Sequence, residues 1–271
     1  MLPAKRVGEL SLHDNEQDGR HTLTVVGELD LATAGELEAA IGRLCKEGAR
    51  EIVLDLHELS FVDSTGLRVI LTGRRICESH ACDFSLTRVQ VPVQRLFEQT
   101  GIGERLSFRG RALAKRLSHR RASATGKPLD RSRPDFDISF DLHPGAARSA
   151  RNYVGDLVYA DASRNVREAV MLLTSELVTR AVRQRPLALA EAIGLRAWLS
   201  AELVRVELRA RSELLFLPPE RSGPHYDHIL LDQLADRWSI DTGQDFACAW
   251  FEIGLFGPRV EITQTEPEGR S

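Results

Sequence analysis

Residues 50–71 read REIVLDLHELSFVDSTGLRVIL. Within them Glu51–Leu56 is a continuous apolar strand, of the kind a central strand covered on both faces requires. Beyond Asp63, the residues Leu67, Ile70, Leu71 and Cys77 recur on one face of a helix. The turn that joins strand to helix carries an acid, two hydroxyls and a glycine: Asp63, Ser64, Thr65 and Gly66. The mundane account of this turn is a helix cap. Either Asp63 or Ser64 can accept a hydrogen bond from a free backbone N–H of the first helical turn, worth about 1 kcal/mol. Gly66 would then serve close approach of the chain.

Outward from this turn, strands and helices alternate. His21–Gly27 (HTLTVVG) is β-branched and alternating and predicts a strand. A helix follows, in which Thr33 and Glu36 form a T-x-x-E capping box, Ala34, Leu37, Ile41 and Leu44 share a face, and Gly48 is the stop. Downstream, Asp83–Val89 predicts a strand, residues 91–101 a short helix and residues 105–108 a last short strand. These elements make a compact α/β domain over residues 21–108, preceded by an N-terminal segment, 1–20.

Residues 109–135 are basic and nearly free of large apolar side chains, a linker. A nucleic-acid role for its arginines is a third-ranked reading, because no aromatic residues interleave for base stacking. A second domain spans residues 136–256, with a tail at 257–271. Its pattern is a strand at Phe136–Leu142, a helix with Pro144 in its first turn, and a longer helix with Val166, Val170, Leu173, Leu177 and Ala181 along one stripe. A hairpin turning near Ser200, a last helix over residues 226–238 and a closing strand over residues 244–254 complete an α+β sandwich.

The 271 residues are 42% hydrophobic and 28% charged, with net charge -3, so no global field draws the chain to nucleic acid or anionic membrane. No apolar run is long enough to span a bilayer and the start has no signal core, which predicts a cytoplasmic protein. The cysteines Cys45, Cys77, Cys82 and Cys248 form no C-x-x-C pair and are expected as reduced thiols, without a metal site.

Two segments carry a resemblance. VVGELDLATAGELEAAI (25–41) and REIVLDLHELSFVDSTGLRVIL (50–71), with VQRLFEQTGIGERLSF (93–108), resemble the STAS family, specifically bacterial anti-sigma factor antagonists. The resemblance implies a small mixed-sheet α/β fold and a regulated serine directly after the aspartate, here Ser64, with Thr65 as the alternative phosphoacceptor. It implies a partner that is both serine kinase and anti-sigma factor, a serine phosphatase, and an interaction surface that includes Asp30, Asp63 and Gly66. No histidine base stands beside Ser64 in sequence; the hydroxyl is read as a switch for association, not as a catalytic nucleophile.

LLTSELVTRAVRQ (172–184) and LLDQLADRWSID (230–241) resemble the GHKL-type ATPase domain of anti-sigma serine kinases, over Phe136–Ile253. The glutamate that the family implies as base is kept as Glu176. The magnesium-binding asparagine falls at Arg180, which has no lone pair for a metal, and the following histidine position at Gln184. The adenine-reading aspartate falls at Ala210, the glycines of its turn at Ser212 and Leu214. The phosphate loop falls on Tyr226, Asp227, His228 and Ile229, which block close backbone approach. The expectation is therefore a non-enzymatic partner-switching antagonist, free of cofactors, fused to a vestigial kinase-like domain. The alternative is a divergent ATP-dependent serine kinase and anti-sigma factor acting on an antagonist domain in cis or in trans. The domain can also merely shape or solubilise the chain. The two halves are expected to dock within one chain or across two.

Overall fold

In the computed structural model, β1 (Ser11–Gln17) and β2 (Arg20–Leu29) form an antiparallel hairpin. Its two-residue turn, Asp18–Gly19, has φ of 53° and 78°, the hand that matches strand twist. The expectation set residues 1–20 outside the domain; β1 belongs to its sheet. The structure describes residues 10–89, 133–183, 192–211, 226–243 and 246–255. The predicted elements at 91–101 and 105–108, most of the linker, Gln184, Ser212 and the tail lie outside them.

The first sheet has the order β1-β2-β3-β4, with β2, β3 (Glu51–Val62) and β4 (Asp83–Val89) parallel. Helix α1 (Ala34–Lys46) connects β2 to β3, and α2 (Ser64–Ser79) connects β3 to β4. Ile52–Leu56 is buried without interruption, as its apolar run requires. The strand runs on to Val62, further than that run. His57, Glu58 and Ser60 alternate there with Leu59 and Phe61, and the register against β4 slips after Asp55.

The predicted capping box does not form. The Thr33 hydroxyl instead donates to the Glu28 carbonyl at 2.8 Å and accepts from the Asp30 N–H at 3.0 Å, closing the loop ahead of α1. Gly48 ends the helix as expected: φ is +91°, and the next residue, Ala49, donates back to the Leu44 carbonyl. Cys45, Cys77 and Cys82 are free and buried, their sulfurs within 4.8 Å of one another. Linear spacing gave no sign of this cluster.

The second sheet is antiparallel throughout, in the order β5-β6-β7-β9-β8. Its strands are β5 (Phe136–Asp141), β6 (Ala192–Leu199), β7 (Leu203–Arg211), β8 (Arg237–Thr242) and β9 (Phe246–Gly254). Cross-strand rows such as Ile138–Leu195–Leu208–Ala249–Ile240 make one apolar face. Helices α3 (Ala146–Leu157), α4 (Arg164–Arg183) and α5 (Tyr226–Leu234) pack together, and α3 and α4 also touch the sheet. Pro144 precedes the N-cap, Gly145, and so stands outside the first turn.

Three local expectations change here. The last helix stops at Leu234 instead of Trp238, because Trp238 and Ile240 alternate against Phe251 and Ala249 as an edge strand, β8. Ala210 lies inside β7, paired with Ala247, and not in a turn. Asp227 and His228 lie in the first turn of α5 and not in a loop. Among the described residues, no helix is long and apolar enough to cross a membrane.

Candidate switch and interaction site

β2 and β3 run parallel and end side by side, with Leu29 opposite Val62 and the Asp63 N–H donating to the Leu29 carbonyl at 3.3 Å. Their carboxyl ends therefore bring Asp30 and Asp63 to one edge of the sheet, where parallel sheets commonly meet ligands. Asp63 is the N-cap of α2: Oδ1 accepts from the N–H groups of Thr65 at 2.8 Å and Gly66 at 3.0 Å. At Gly66 an added Cβ would lie 2.4 Å from the Leu29 carbonyl oxygen and 2.6 Å from Val62 Cγ2. Gly66 is thus a packing requirement inside the domain.

The capping account of the turn is correct, and incomplete. Ser64 is only 4% exposed, because α4 of the second domain lies against it. The Ser64 N–H donates to Glu176 Oε1 at 2.7 Å, and the Ser64 hydroxyl donates to Glu176 Oε2 at 2.6 Å. The Ser175 hydroxyl donates to Asp63 Oδ2 at 3.3 Å, and Arg183 donates to the Thr65 hydroxyl at 2.6 Å. On the neighbouring strand end, Arg151 donates to Glu28 at 2.6 Å and to Asp30 at 2.8 Å, and Arg148 pairs with the same two acids. The Arg151 guanidinium also lies 4.0 Å from the centre of the Phe61 ring.

The acids Glu28, Asp30, Asp63 and Glu176 thus meet Arg148, Arg151 and Arg183, with Arg180 buried one turn from Glu176. Its buried members, Asp30, Asp63, Arg151 and Glu176, are sensitive to loss of a partner, since the one that remains becomes an uncompensated charge. Asp63 shows the strain of this crowding. Burial pushes its carboxyl above the usual value; the Gly66 N–H holds it down, the Asp30 charge adds to the rise, and Arg151 and Arg183 oppose it.

Of the predicted site residues, the fold brings Asp30, Asp63, Ser64 and Thr65 together with Glu176. Ala210 is buried in the second sheet and Asp227 and His228 start α5. The sequence reading missed Glu28, Phe61, Arg148, Arg151, Ser175 and Arg183. One signal was available: Arg151 sits on the apolar stripe of α3 between Ala147, Ala150 and Val154, where a fully buried arginine needs an anionic partner.

A STAS-domain profile matches residues 13–112. The chain is 31% identical over 93 residues to the anti-sigma-B factor antagonist of Staphylococcus aureus, covering 34% of this chain and 86% of that protein. The Staphylococcus epidermidis protein of the same name is 28% identical over 93 residues, with the same shares covered. The crystal structure of an anti-sigma factor antagonist from Mycobacterium paratuberculosis is 25% identical, with a TM-score of 0.34, covering 37% of this chain and 85% of that one. The S. aureus relative is matched over nearly its whole length by the part of this chain that holds the Asp63–Ser64 turn, and the chain therefore belongs to the STAS-domain family of anti-sigma factor antagonists.

Proposed function

We propose that this antagonist is switched by phosphorylation of Ser64, and that residues 136–256 form a kinase-like domain that binds the switch without catalysing a reaction. The observation that carries this reading is the pair of hydrogen bonds from Ser64 to Glu176, supported by the arginine contacts around them. A phosphate on Ser64 brings about -1.5 to -2 charges at pH 7. It would face the Glu176 carboxylate, now 2.6 Å from the hydroxyl oxygen. At an effective dielectric constant near 20, unit charges about 4 Å apart repel by roughly 4 kcal/mol. That is enough to abolish a micromolar contact made through this turn. The N-terminus of α2 tolerates an anion, so the antagonist fold itself persists.

The absence of chemistry in the second domain rests on its residues. Arg180, at the position the resemblance gives to the magnesium-binding asparagine, offers no lone pair to a metal. The test is phosphopeptide mapping after reaction with a cognate kinase, together with calorimetry of the chain at millimolar Mg·ATP. The expected results are phosphate on Ser64 and no heat of nucleotide binding. Phosphate confined to Thr65, or a Ser64→Ala chain that remains a full substrate, refutes the switch.

A second reading is favoured by the same contact. A carboxylate 2.6 Å from a hydroxyl has the geometry of a general base beside its nucleophile. On this reading the chain is a divergent kinase that phosphorylates Ser64 in cis. Incubation with Mg·ATP alone separates the two: phospho-Ser64 in the wild type but not in Glu176→Gln would establish the kinase.

A further inference from the structure

We infer that the face formed by Arg148, Arg151, Glu176 and Arg183 is a receptor for the antagonist domain of a second copy of this chain. In the resting chain it is occupied in cis, and it is freed when Ser64 carries a phosphate. The inference rests on the reading of Ser64 as phosphoacceptor.

The contacts are those of two recognising surfaces. They join residues 112 to 123 positions apart. Acids at the end of β2 meet two arginines of α3, and the first turn of α2 meets Ser175, Glu176 and Arg183 of α4. None of these contacts depends on which chain supplies which side, so another copy offers the same edge. In the closed chain each surface hides the other: Asp30 is 1% exposed, Arg151 0% and Glu176 2%. A tethered partner acts at an effective concentration near millimolar. An outside domain with a Kd of about 10 μM must then bind roughly a hundredfold more weakly than it would to an open chain.

Phosphate removes that competitor selectively. The modified turn cannot return to Glu176, while the arginines and the glutamate are unchanged. Arg148 and Arg151 then select an acidic strand end, and Glu176 selects a serine that still has a proton to donate. The phosphorylated chain thereby becomes a receptor for unphosphorylated antagonist domains, and withdraws them from other partners.

Two full-length variants test this. Ser64→Glu spoils the antagonist edge and leaves the receptor face intact. Arg148→Glu with Arg151→Glu does the opposite. Wild type and each variant alone are expected to run as 30.2 kDa monomers, whereas an equimolar mixture runs at twice that mass. The mixed pair should bind about a hundredfold more tightly than wild type binds either variant. No complex at roughly a hundred times the 10 μM scale, with both variants folded by circular dichroism, overturns the inference. So does a wild type that is already dimeric, or one that binds either variant as tightly as the pair binds. Should the double variant fail to fold, Arg148→Glu alone, at a side chain 19% exposed, takes its place with the same expectations. Because neither variant needs a kinase, a failure here is distinct from a failure to map phosphate to Ser64.

Discussion

Asp63 caps α2 with one carboxylate oxygen and receives Ser175 with the other. Its proton affinity, raised from an ordinary value of 3.8, ties stability to pH. Below the ordinary value the carboxyl is protonated whether the chain is folded or not, and it carries no penalty. As pH rises above that value the unfolded chain releases the proton while the folded chain retains it. Stability falls until pH passes the folded value and then levels. Asp63→Asn keeps an acceptor for the cap and removes the titration. Its melting temperature, followed from pH 4 upward beside the wild type, should therefore lack this part of the decline. Identical slopes in the two proteins would show that Asp30, Glu176, Arg151 and Arg183 around the carboxyl leave no net penalty. At Gly66 the constraint is steric: a methyl group would press on backbone, which cannot swing aside. Gly66→Ala should cost about 1–3 kcal/mol in urea unfolding, and a neutral result would mean that α2 slides away from β3 freely.

At the scale of elements, what could be read from sequence was whatever local periodicity determines. The apolar run of β3, the stripe of α4 and the stop at Gly48 were all legible because each element writes its own burial pattern. Contacts between distant elements leave no such trace. Ser175 and Glu176 are polar residues of α4 outside its apolar stripe, and both are buried. Their cover comes from residues more than a hundred positions away. β8 was absorbed into a helix because LLDQLADRW reads as one amphipathic run until Trp238 and Ile240 find a sheet. The cysteine cluster was invisible for a similar reason, since α1, α2 and the start of β4 meet only in the fold. Burial pushes Cys82 up to about 11 and Cys77 higher still, with the neighbouring sulfurs adding to the rise at Cys77. Both thiols are therefore protonated at pH 8 and poor nucleophiles. An aromatic disulfide reagent should leave them unmodified in the native protein and titrate all four cysteines after denaturation. Rapid native reaction at Cys77 would mean that α1 and α2 separate readily.

The whole molecule raises a question that neither half answers: whether it opens as two folded bodies or by fraying of α2. Backbone amides in the Asp63–Ser64 turn distinguish the two. The Ser64 N–H is bonded to Glu176, across the domain boundary. The Thr65 and Gly66 N–H groups are bonded to Asp63, within the antagonist domain. If the domains part while α2 stays intact, only Ser64 loses its acceptor. Arg151→Ala provides the perturbation, because it removes the arginine shared by Glu28 and Asp30 and leaves both acids in a buried site. Breaking a buried pair in this way costs about 3–5 kcal/mol, here charged against the closed form. Exchange of the Ser64 amide should then accelerate on the order of a hundredfold or more, read residue by residue by NMR, while Thr65 and Gly66 keep their wild-type rates. Equal acceleration at all three amides would assign the opening to the end of α2 and not to the boundary. An unchanged Ser64 rate would mean that Arg151 adds nothing to closure beyond what Arg148, paired with the same two acids, already supplies.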